Sequence, residues 1–310
     1  MKSRSVAGIA VKPIIFGGNV FGWTVDEKRS FELLDSFVER GFSMIDTADM
    51  YSNWVPGNVG GESEEIIGKW MKARGNRDKV HIISKCGLPM SYGGGLSKKY
   101  IKEAVEKSLT RLGTDYLDVY LAHTDDEKVD QLETMQAFNE LLESGKVRHI
   151  GASNFSRTRL ESALTVAHEN NLKGFEVFEP CYNLYDREFE EHYRDFCLEK
   201  NLSVISYFSL ASGFLSGKYR TMDDLNKSQR GASVSKYMNS KGQRILDTLG
   251  TISDSTGFSF TQIAISWLLS QKGVSAPIVS ATKMEQLNEV LSATDTLLSS
   301  VHLQMLSELG

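Results

Sequence analysis

Short apolar runs alternate with amphipathic segments along nearly the whole chain. Apolar positions between the runs follow helical spacing, as at Phe31, Leu34, Phe37 and Val38. The eight apolar runs predict buried strands at residues 14–16, 42–45, 80–84, 116–122, 147–151, 175–178, 202–207 and 276–280. Eight short strands that alternate with helices predict an α/β fold of the (β/α)8 TIM-barrel type.

Two features lie outside this rhythm. A short strand or hairpin is expected before the first barrel strand, and an extra helix is expected near Leu303 and Leu306. Thr24 and Glu27 predict a capping box at the start of the first helix.

The competing fold, an open doubly wound sheet, usually carries GxGxxG after its first strand, and residues 16–22 (FGGNVFG) lack that spacing. No linker or low-complexity tract divides the chain, so residues 1–310 are expected to form one domain.

Composition and charge exclude several classes of function. The net charge of −5 is spread along the 310 residues, which does not favour binding to nucleic acid or to an anionic membrane. No apolar run reaches the roughly 18 residues of a membrane span. Three cysteines without CxxC spacing favour a reducing compartment, so we expect a cytoplasmic protein. The six histidines show no metal-ligand spacing, so no metal site is expected.

Polar side chains end three consecutive predicted strands. Asp46, Lys85 and His123 follow the second, third and fourth strands, and Tyr51 lies five residues after Asp46. Each residue alone has an ordinary explanation, such as a turn cap, a solvated amine or a hydrogen-bonded ring. In a barrel, however, the carboxyl ends of the strands meet at one mouth. The joint pattern therefore predicts one site.

The chemistry of these four side chains suits a carbonyl group. Asp46 would hold Lys85 charged, and that charge would lower the pKa of Tyr51 below the roughly 10 of a free phenol. His123 could donate a hydrogen bond to the same substrate oxygen. A proton donor and a polarising group at one oxygen fit a carbonyl that accepts hydride. Because no side chain can give hydride, a cofactor must supply it.

Several longer motifs resemble the aldo-keto reductases. They are DTADMY at residues 46–51, GESE at 61–64 followed by Gly68, LGTDYLD at 112–118, GKVRHIGASNF at 145–155, YNL at 182–184 and LASGFLSGKY at 210–219. The resemblance extends over nearly the whole chain. It is strongest to the bacterial and fungal reductases related to potassium-channel β subunits.

The resemblance implies an NADP(H)-dependent oxidoreductase that acts on a small-molecule carbonyl or alcohol. It makes Tyr51 the general acid, assisted by Lys85, Asp46 and His123. It also implies that Tyr207 stacks on the nicotinamide and that Thr282 and Lys283 hold the 2′-phosphate. The implied cofactor residues are Gly18, Asn19, Val20, Asp46, Ser153, Asn154, Glu179, Tyr207, Phe208, Ser209, Leu210, Ala211, Ser212, Gly213, Lys218, Ser280, Ala281, Thr282, Lys283, Gln286 and Glu289.

Three positions depart from the family pattern on the cofactor side. Glu179 stands where the family usually has Gln for the carboxamide, and a buried carboxylate is costly unless it is protonated or displaced. Val290 replaces an Asn near the adenine. Ser209, preceded by Phe208, replaces a Pro. We expect these departures to affect the affinity for the cofactor more than the catalytic chemistry.

The substrate and two alternative functions complete the sequence-based expectations. Trp54 and Tyr92 are candidate walls of the substrate pocket, although packing of the long loops explains them equally well. One alternative is a redox-sensing regulatory subunit that binds NADP(H) and turns over little. Another is a barrel hydrolase that uses Asp46 and Asp49, which leaves Lys85 without a role. The sequence assigns neither the physiological substrate nor the oligomeric state.

Overall fold

A closed barrel of eight parallel strands forms the centre of the protein. The computed structural model describes residues 4–309. The barrel strands, each hydrogen-bonded to the next and the last to the first, are β3 (Ile15–Gly17), β4 (Met44–Asp46), β5 (His81–Cys86), β6 (Leu117–Ala122), β7 (Val147–Ser153), β8 (Val177–Glu179), β9 (Ser203–Ser206) and β10 (Val274–Val279). All eight predicted strands, and the predicted (β/α)8 barrel, are confirmed.

Helices follow the barrel strands and cover the outside of the barrel. The helices are α1 (Glu27–Glu39), α2 (Glu62–Arg74), α3 (Lys98–Leu112), α4 (Gln131–Glu143), α5 (Arg157–Glu169), α6 (Glu188–His192), α7 (Arg194–Glu199), α8 (Gly231–Val234), α9 (Ser240–Thr256), α10 (Phe260–Ser270), α11 (Met284–Ser292) and α12 (Ser300–Ser307). The last is the predicted extra helix. No helix within residues 4–309 is long and apolar enough to cross a membrane.

The start of the first helix differs from the prediction. Asp26, not Thr24, caps α1, and its carboxylate accepts a hydrogen bond from the backbone N–H of Arg29. Both residues are good caps. The helix therefore begins two residues later than the Thr24 capping box predicts.

The predicted N-terminal hairpin closes the amino end of the barrel. Strands β1 (Arg4–Val6) and β2 (Ile9–Val11) pair antiparallel. Their buried Val6 and Val11 pack with the apolar side chains inside the barrel. The backbone N–H of Ala7 donates to the hydroxyl of Ser203, the first residue of β9. With this end covered by apolar side chains, the polar strand ends lie at the opposite mouth.

A buried carboxylate joins the strands near the amino end of the barrel. Asp118 on β6 accepts hydrogen bonds from Arg77 at 2.9 Å, from the backbone of Ile82 at 2.9 Å and from Arg148 at 3.1 Å. Burial works against its charge. Hydrogen bonds from His81 and from Arg77 outweigh that effect and lower the pKa of Asp118. The carboxylate therefore stabilises the structure in its ionised form.

Candidate active site

The four predicted catalytic side chains come together at the carboxyl mouth of the barrel. The ammonium of Lys85 donates to Asp46 Oδ1 at 2.5 Å, to the carbonyl of Thr47 at 3.0 Å and to the hydroxyl of Tyr51 at 2.8 Å. That hydroxyl donates to Asp46 Oδ2 at 3.1 Å. The ring of His123 lies 6.0 Å from the ring of Tyr51, centre to centre. The side chains thus form one cluster around a single phenol.

The charges in this cluster are held by mutual contact. Burial opposes a charge on Lys85, but Asp46, Glu179 and Tyr51 outweigh it and raise the pKa of Lys85 above its ordinary value. Lys85 is fully buried. An ammonium at such a position persists only with an anionic partner, which Asp46 supplies.

The acidity of Tyr51 differs from the prediction. Burial and the neighbouring charge of Asp46 raise the pKa of Tyr51 well above 10, and Lys85 offsets only part of that rise. The expectation of a phenol more acidic than free tyrosine is wrong for the structure as described, because burial penalises the phenolate more than one ammonium stabilises it. Tyr51 therefore keeps its proton across the ordinary pH range and is available as an acid.

His123 is a neutral, buried ring at the edge of the same cluster. Burial and then the charge of Lys85 lower the pKa of His123 well below its usual value. Its Nδ1 has no hydrogen-bond partner within residues 4–309. The carbonyl of His123 accepts a hydrogen bond from the side-chain amide of Asn154 at 2.9 Å. A neutral imidazole fixed in this way can donate one hydrogen bond to a substrate oxygen.

Glu179 brings a second carboxylate to the ammonium. Its Oε1 lies 3.4 Å from Lys85 Nζ, and its Oε2 is buried with no hydrogen-bond partner in the described part of the chain. Burial and then the charge of Asp46 raise the pKa of Glu179 to about 8, against the opposing effect of Lys85. The side chain is thus not displaced from the site, and it changes protonation close to neutral pH.

A cavity of about 870 Å³ opens directly over the cluster. Its volume lies within the range of about 300–1,000 Å³ usual for ligand sites. Most of the predicted cofactor residues line it, namely Asn19, Val20, Asp46, Ser153, Asn154, Glu179, Tyr207, Phe208, Ser209, Leu210, Ser212, Gly213, Lys218, Ser280, Thr282, Gln286 and Glu289. The predicted residues outside its lining are Gly18, Ala211, Ala281 and Lys283, while Lys85 lies beneath Tyr51 and Asp46.

A chain of hydrogen bonds connects three strand ends at the cavity floor. The hydroxyl of Tyr207 donates to Asn154 Oδ1 at 2.7 Å, and Asn154 Nδ2 donates to Ser153 Oγ at 3.2 Å. Ser153 Oγ in turn donates to the backbone carbonyl of Glu179 at 2.8 Å. These bonds fix the polar groups of β7, β8 and the residue after β9 in one row.

The loop after β9 and the start of α11 form another part of the wall. Ser212 and Gly213 both have left-handed backbone conformations, with φ of 58° and 95°, so the loop turns tightly beside the cavity. At the start of α11, the backbone and hydroxyl of Thr282 donate to Gln286 Oε1 at 2.9 and 3.0 Å. Lys283 is exposed at the cap of this helix.

Sequence reasoning missed Arg230 and Trp23, which also line the cavity. The guanidinium of Arg230 lies 5.3 Å from the ring of Trp23 and donates to Asn19 Oδ1 at 3.2 Å. Burial lowers the pKa of Arg230, and no carboxylate among the described residues pairs with it. No local pattern in the polar insertion at 219–241 indicates that Arg230 lines the cavity, because the residues that it contacts there are about 200 positions away in the sequence.

The two candidate substrate walls behave differently. Trp54 lines the cavity and packs edge to face against Tyr51 and Trp23, with ring centres 6.3 and 5.5 Å apart. Tyr92 stacks on Tyr100 at 5.9 Å and does not line the cavity. The structure therefore places Tyr92 in the packing of its own loop, against α3.

Of the two carboxylates in the hydrolase hypothesis, Asp46 lines the cavity and Asp49 does not. Asp49 is buried, and neither of its side-chain oxygens has a partner in residues 4–309. Burial and then the charge of Glu64 raise the pKa of Asp49 well above its ordinary value. A carboxyl group shielded from the cavity cannot activate water there. The described residues also contain no group of three His, Cys, Asp or Glu side chains that could hold a metal ion.

Comparison with known proteins identifies the family. The family model described as "Aldo/keto reductase family" matches residues 13–310. The chain belongs to this family. The resemblance stated from the motifs is therefore confirmed over almost the whole chain.

Several relatives of this aldo/keto reductase carry names of reductases. It is 30% identical to versiconal hemiacetal acetate reductase of Aspergillus parasiticus, over 97% of this chain and 94% of the relative. It is 33% identical to aldo-keto reductase YhdN of Bacillus subtilis, over 92% and 84%. It is also 31% identical to a probable voltage-gated potassium channel subunit beta of rice, Oryza sativa subsp. japonica, over 96% and 91%. Family and relatives together support an oxidoreductase of the NAD(P)-dependent, carbonyl-reducing kind.

Proposed function

We propose that this aldo/keto reductase reduces an aldehyde or ketone to an alcohol with NADPH, or catalyses the reverse oxidation with NADP⁺. The observation that carries the proposal is the hydroxyl of Tyr51. It faces a cavity while it contacts both Lys85 and Asp46 at 3.1 Å or less. A protonated phenol supported by a buried ion pair is suited to donate a proton in a water-poor site.

The cavity offers groups that suit a dinucleotide cofactor. Unpartnered polar atoms of Glu179 and His123 lie beside Tyr51. Arg230, which lacks a carboxylate partner among the described residues, and the exposed Lys218 provide positive charge for phosphate groups. Tyr207 presents an aromatic face between these two regions. We infer that the nicotinamide lies against Tyr207, near Asn154 and Ser153, and that the cofactor supplies the hydride when it is bound.

The side chains of the cluster donate the proton that the reduced carbonyl oxygen needs. As the carbonyl oxygen gains negative charge, Tyr51 gives it the hydroxyl proton. The phenolate that remains faces the ammonium of Lys85, 2.8 Å from its oxygen, and Asp46 neutralises that ammonium. The neutral ring of His123 donates a hydrogen bond to the same substrate oxygen and holds the carbonyl in place. Trp54 forms one apolar wall beside the reacting group.

The start of α11 supports a preference for NADP over NAD. Thr282 lines the cavity, and Lys283 follows it at the cap of the helix. A helix amino terminus favours a phosphate group, and a cationic side chain at that position adds to the attraction. We propose that these residues hold the 2′-phosphate. The cytoplasm remains the predicted location.

Two measurements test the proposed function. Titration of the protein should quench or shift NADPH fluorescence, and 4-nitrobenzaldehyde should be reduced at the expense of NADPH. A protein that leaves NADPH fluorescence unchanged at every concentration would refute the proposal. A panel of aldehydes and ketones would then identify the class of substrate.

One observation favours a second candidate function. The rice relative is named a probable channel subunit beta, and it matches this chain over most of both sequences. A protein of this second kind would bind NADP(H) and sense its redox state with little turnover. Tight NADPH binding without reduction of any aldehyde in the panel would favour it over the leading proposal.

A further inference from the structure

Glu179 lies at the reacting end of the cavity and takes no part in the proposed proton transfer. It is 2% exposed and lines the cavity at the end of β8. One carboxylate oxygen contacts the Lys85 ammonium at 3.4 Å. The other has no partner in the described part of the chain. A buried oxygen without a partner at a cavity wall is costly unless a bound group satisfies it.

The reaction geometry brings this carboxylate close to the nicotinamide ring. Hydride transfer needs the ring carbon and the carbonyl carbon roughly 3–3.5 Å apart. The carbonyl oxygen must at the same time reach the hydroxyl of Tyr51. Lys85 contacts both Tyr51 and Glu179, at 2.8 and 3.4 Å, and both of these residues line the cavity, so the phenol and the carboxylate lie at the same part of its wall. Glu179 therefore faces the place where the ring must lie.

The two redox forms of the cofactor differ there by one charge. The oxidised nicotinamide ring is cationic, and the reduced ring is neutral. An anion a few ångströms from the ring stabilises the cationic form, and water screens this attraction poorly inside a protein. A neutral carboxyl group gives no such preference. The protonation state of one side chain thus bears on which form binds more tightly.

We propose that Glu179 sets the relative affinity for the two redox forms, because its ionised carboxylate favours NADP⁺ and its neutral carboxyl lacks that preference. The inference rests on the proposed function. It implies that NADP⁺ binding at about pH 7.5 releases roughly half a proton from Glu179 to the solvent, while NADPH binding releases none. The protein would then bind the oxidised cofactor more tightly, relative to the reduced cofactor, as the pH rises.

The groups around Glu179 place this change in an accessible pH range. Asp46 favours the neutral form of Glu179, and Lys85 favours the ionised form. Tyr51 and Tyr207 also face it, and both stay uncharged because burial raises their pKa. With the pKa of Glu179 raised to about 8, the carboxyl is mainly neutral at about pH 6 and mainly ionised at about pH 9.5.

The test compares wild type with Glu179→Gln, a substitution of nearly equal shape. Dissociation constants for NADP⁺ and NADPH are measured at about pH 6 and about pH 9.5, by calorimetry and by fluorescence. For wild type, the ratio of the NADP⁺ constant to the NADPH constant should fall roughly tenfold as the pH rises, which corresponds to one pKa unit. The ratio for Glu179→Gln should stay constant. Titration of the cofactor phosphates affects both forms alike and cancels in the ratio.

Two controls separate this effect from general electrostatics. Glu285→Gln makes the same chemical change at an exposed residue of α11 outside the cavity lining, and should leave the pH dependence of the ratio intact. Calorimetry in buffers of different ionisation enthalpy should detect proton release with NADP⁺ in wild type and none in Glu179→Gln. A wild-type ratio that does not change with pH, or a Glu179→Gln ratio that changes as in wild type, would overturn the inference and leave the proposed function standing. Failure of wild type to bind either form would instead overturn the proposed function itself.

Discussion

Replacement of Tyr51 by Phe removes one oxygen from the centre of the candidate active site. Lys85 keeps its bonds to Asp46 at 2.5 Å and to the carbonyl of Thr47 at 3.0 Å, so its charge stays paired. The ring contact with Trp54 also remains. We therefore expect an intact cavity and near-normal NADPH affinity, with only the transferable proton lost.

The expected loss in rate follows from the absence of a substitute acid. General acid catalysis contributes about 10²–10⁴-fold, or about 2.7–5.4 kcal/mol of transition-state stabilisation. His123 cannot replace Tyr51, because its lowered pKa leaves the ring neutral and a weak acid. Lys85, whose pKa is raised, gives up a proton even less readily. We expect the fall in kcat of Tyr51→Phe to lie in the upper part of this range.

The assay follows NADPH consumption with 4-nitrobenzaldehyde, and fluorescence titration measures the dissociation constant of NADPH. Tyr116→Phe is the matched control, because this residue directly precedes β6 and so lies at the opposite end of that strand from His123. The Tyr116→Phe variant should reduce the aldehyde at the wild-type rate. If Tyr51→Phe reduces the aldehyde as fast as the wild type and the control, Tyr51 is not the acid and the reasoning from the cluster fails.

Four further substitutions test the cofactor preference and the fold. Lys283→Ala should weaken NADPH binding roughly tenfold and NADH binding little, and equal losses would reject its 2′-phosphate role. Asp118→Asn should lower the free energy of unfolding by about 1.5–3 kcal/mol, since the neutral amide no longer pairs with the partly buried guanidinium of Arg77. The pKa of Asp118 is lowered in the folded protein, so its carboxylate stabilises the fold above about pH 4, and this stabilisation is lost as the pH falls through the lowered pKa. The Asp118→Asn variant should therefore lose less stability than the wild type as the pH is lowered. Gly68→Ala would place a Cβ 2.4 Å from the Arg111 carbonyl and should lower the free energy of unfolding by about 1–3 kcal/mol. The Cβ of Gly250→Ala would meet only ordinary contacts, and this substitution should raise the free energy of unfolding by about 0.5–1 kcal/mol. Denaturant unfolding measures both changes.

The architecture was accessible from the sequence because each element carries its own periodic signal. Strand β6, for example, is apolar at every position except Asp118, and the helices show apolar spacing of three and four. The order of the strands in the barrel then places Asp46, Lys85 and His123 at one mouth. Errors in single caps, such as Thr24 for Asp26, do not alter that outcome.

The parts that sequence reasoning missed depend on contacts between distant segments. Arg230 meets Asn19 across 211 positions, and no local pattern marks such a pair. Tyr92 and Trp54 are both aromatic residues in long loops. Only their packing in the structure shows that Tyr92 stacks on Tyr100, whereas Trp54 lines the cavity.

The sequence by itself determined the class of chemistry, because a phenol, an amine, a carboxylate and an imidazole at successive strand ends can meet in only one region of a barrel. Only the tertiary structure decided the state of those groups. Burial depth and distance set whether a proton is held, as the raised pKa of Tyr51 shows. The 3.4 Å contact of Glu179 with Lys85 likewise arises from the closure of the barrel, which brings β5 and β8 to the same interior.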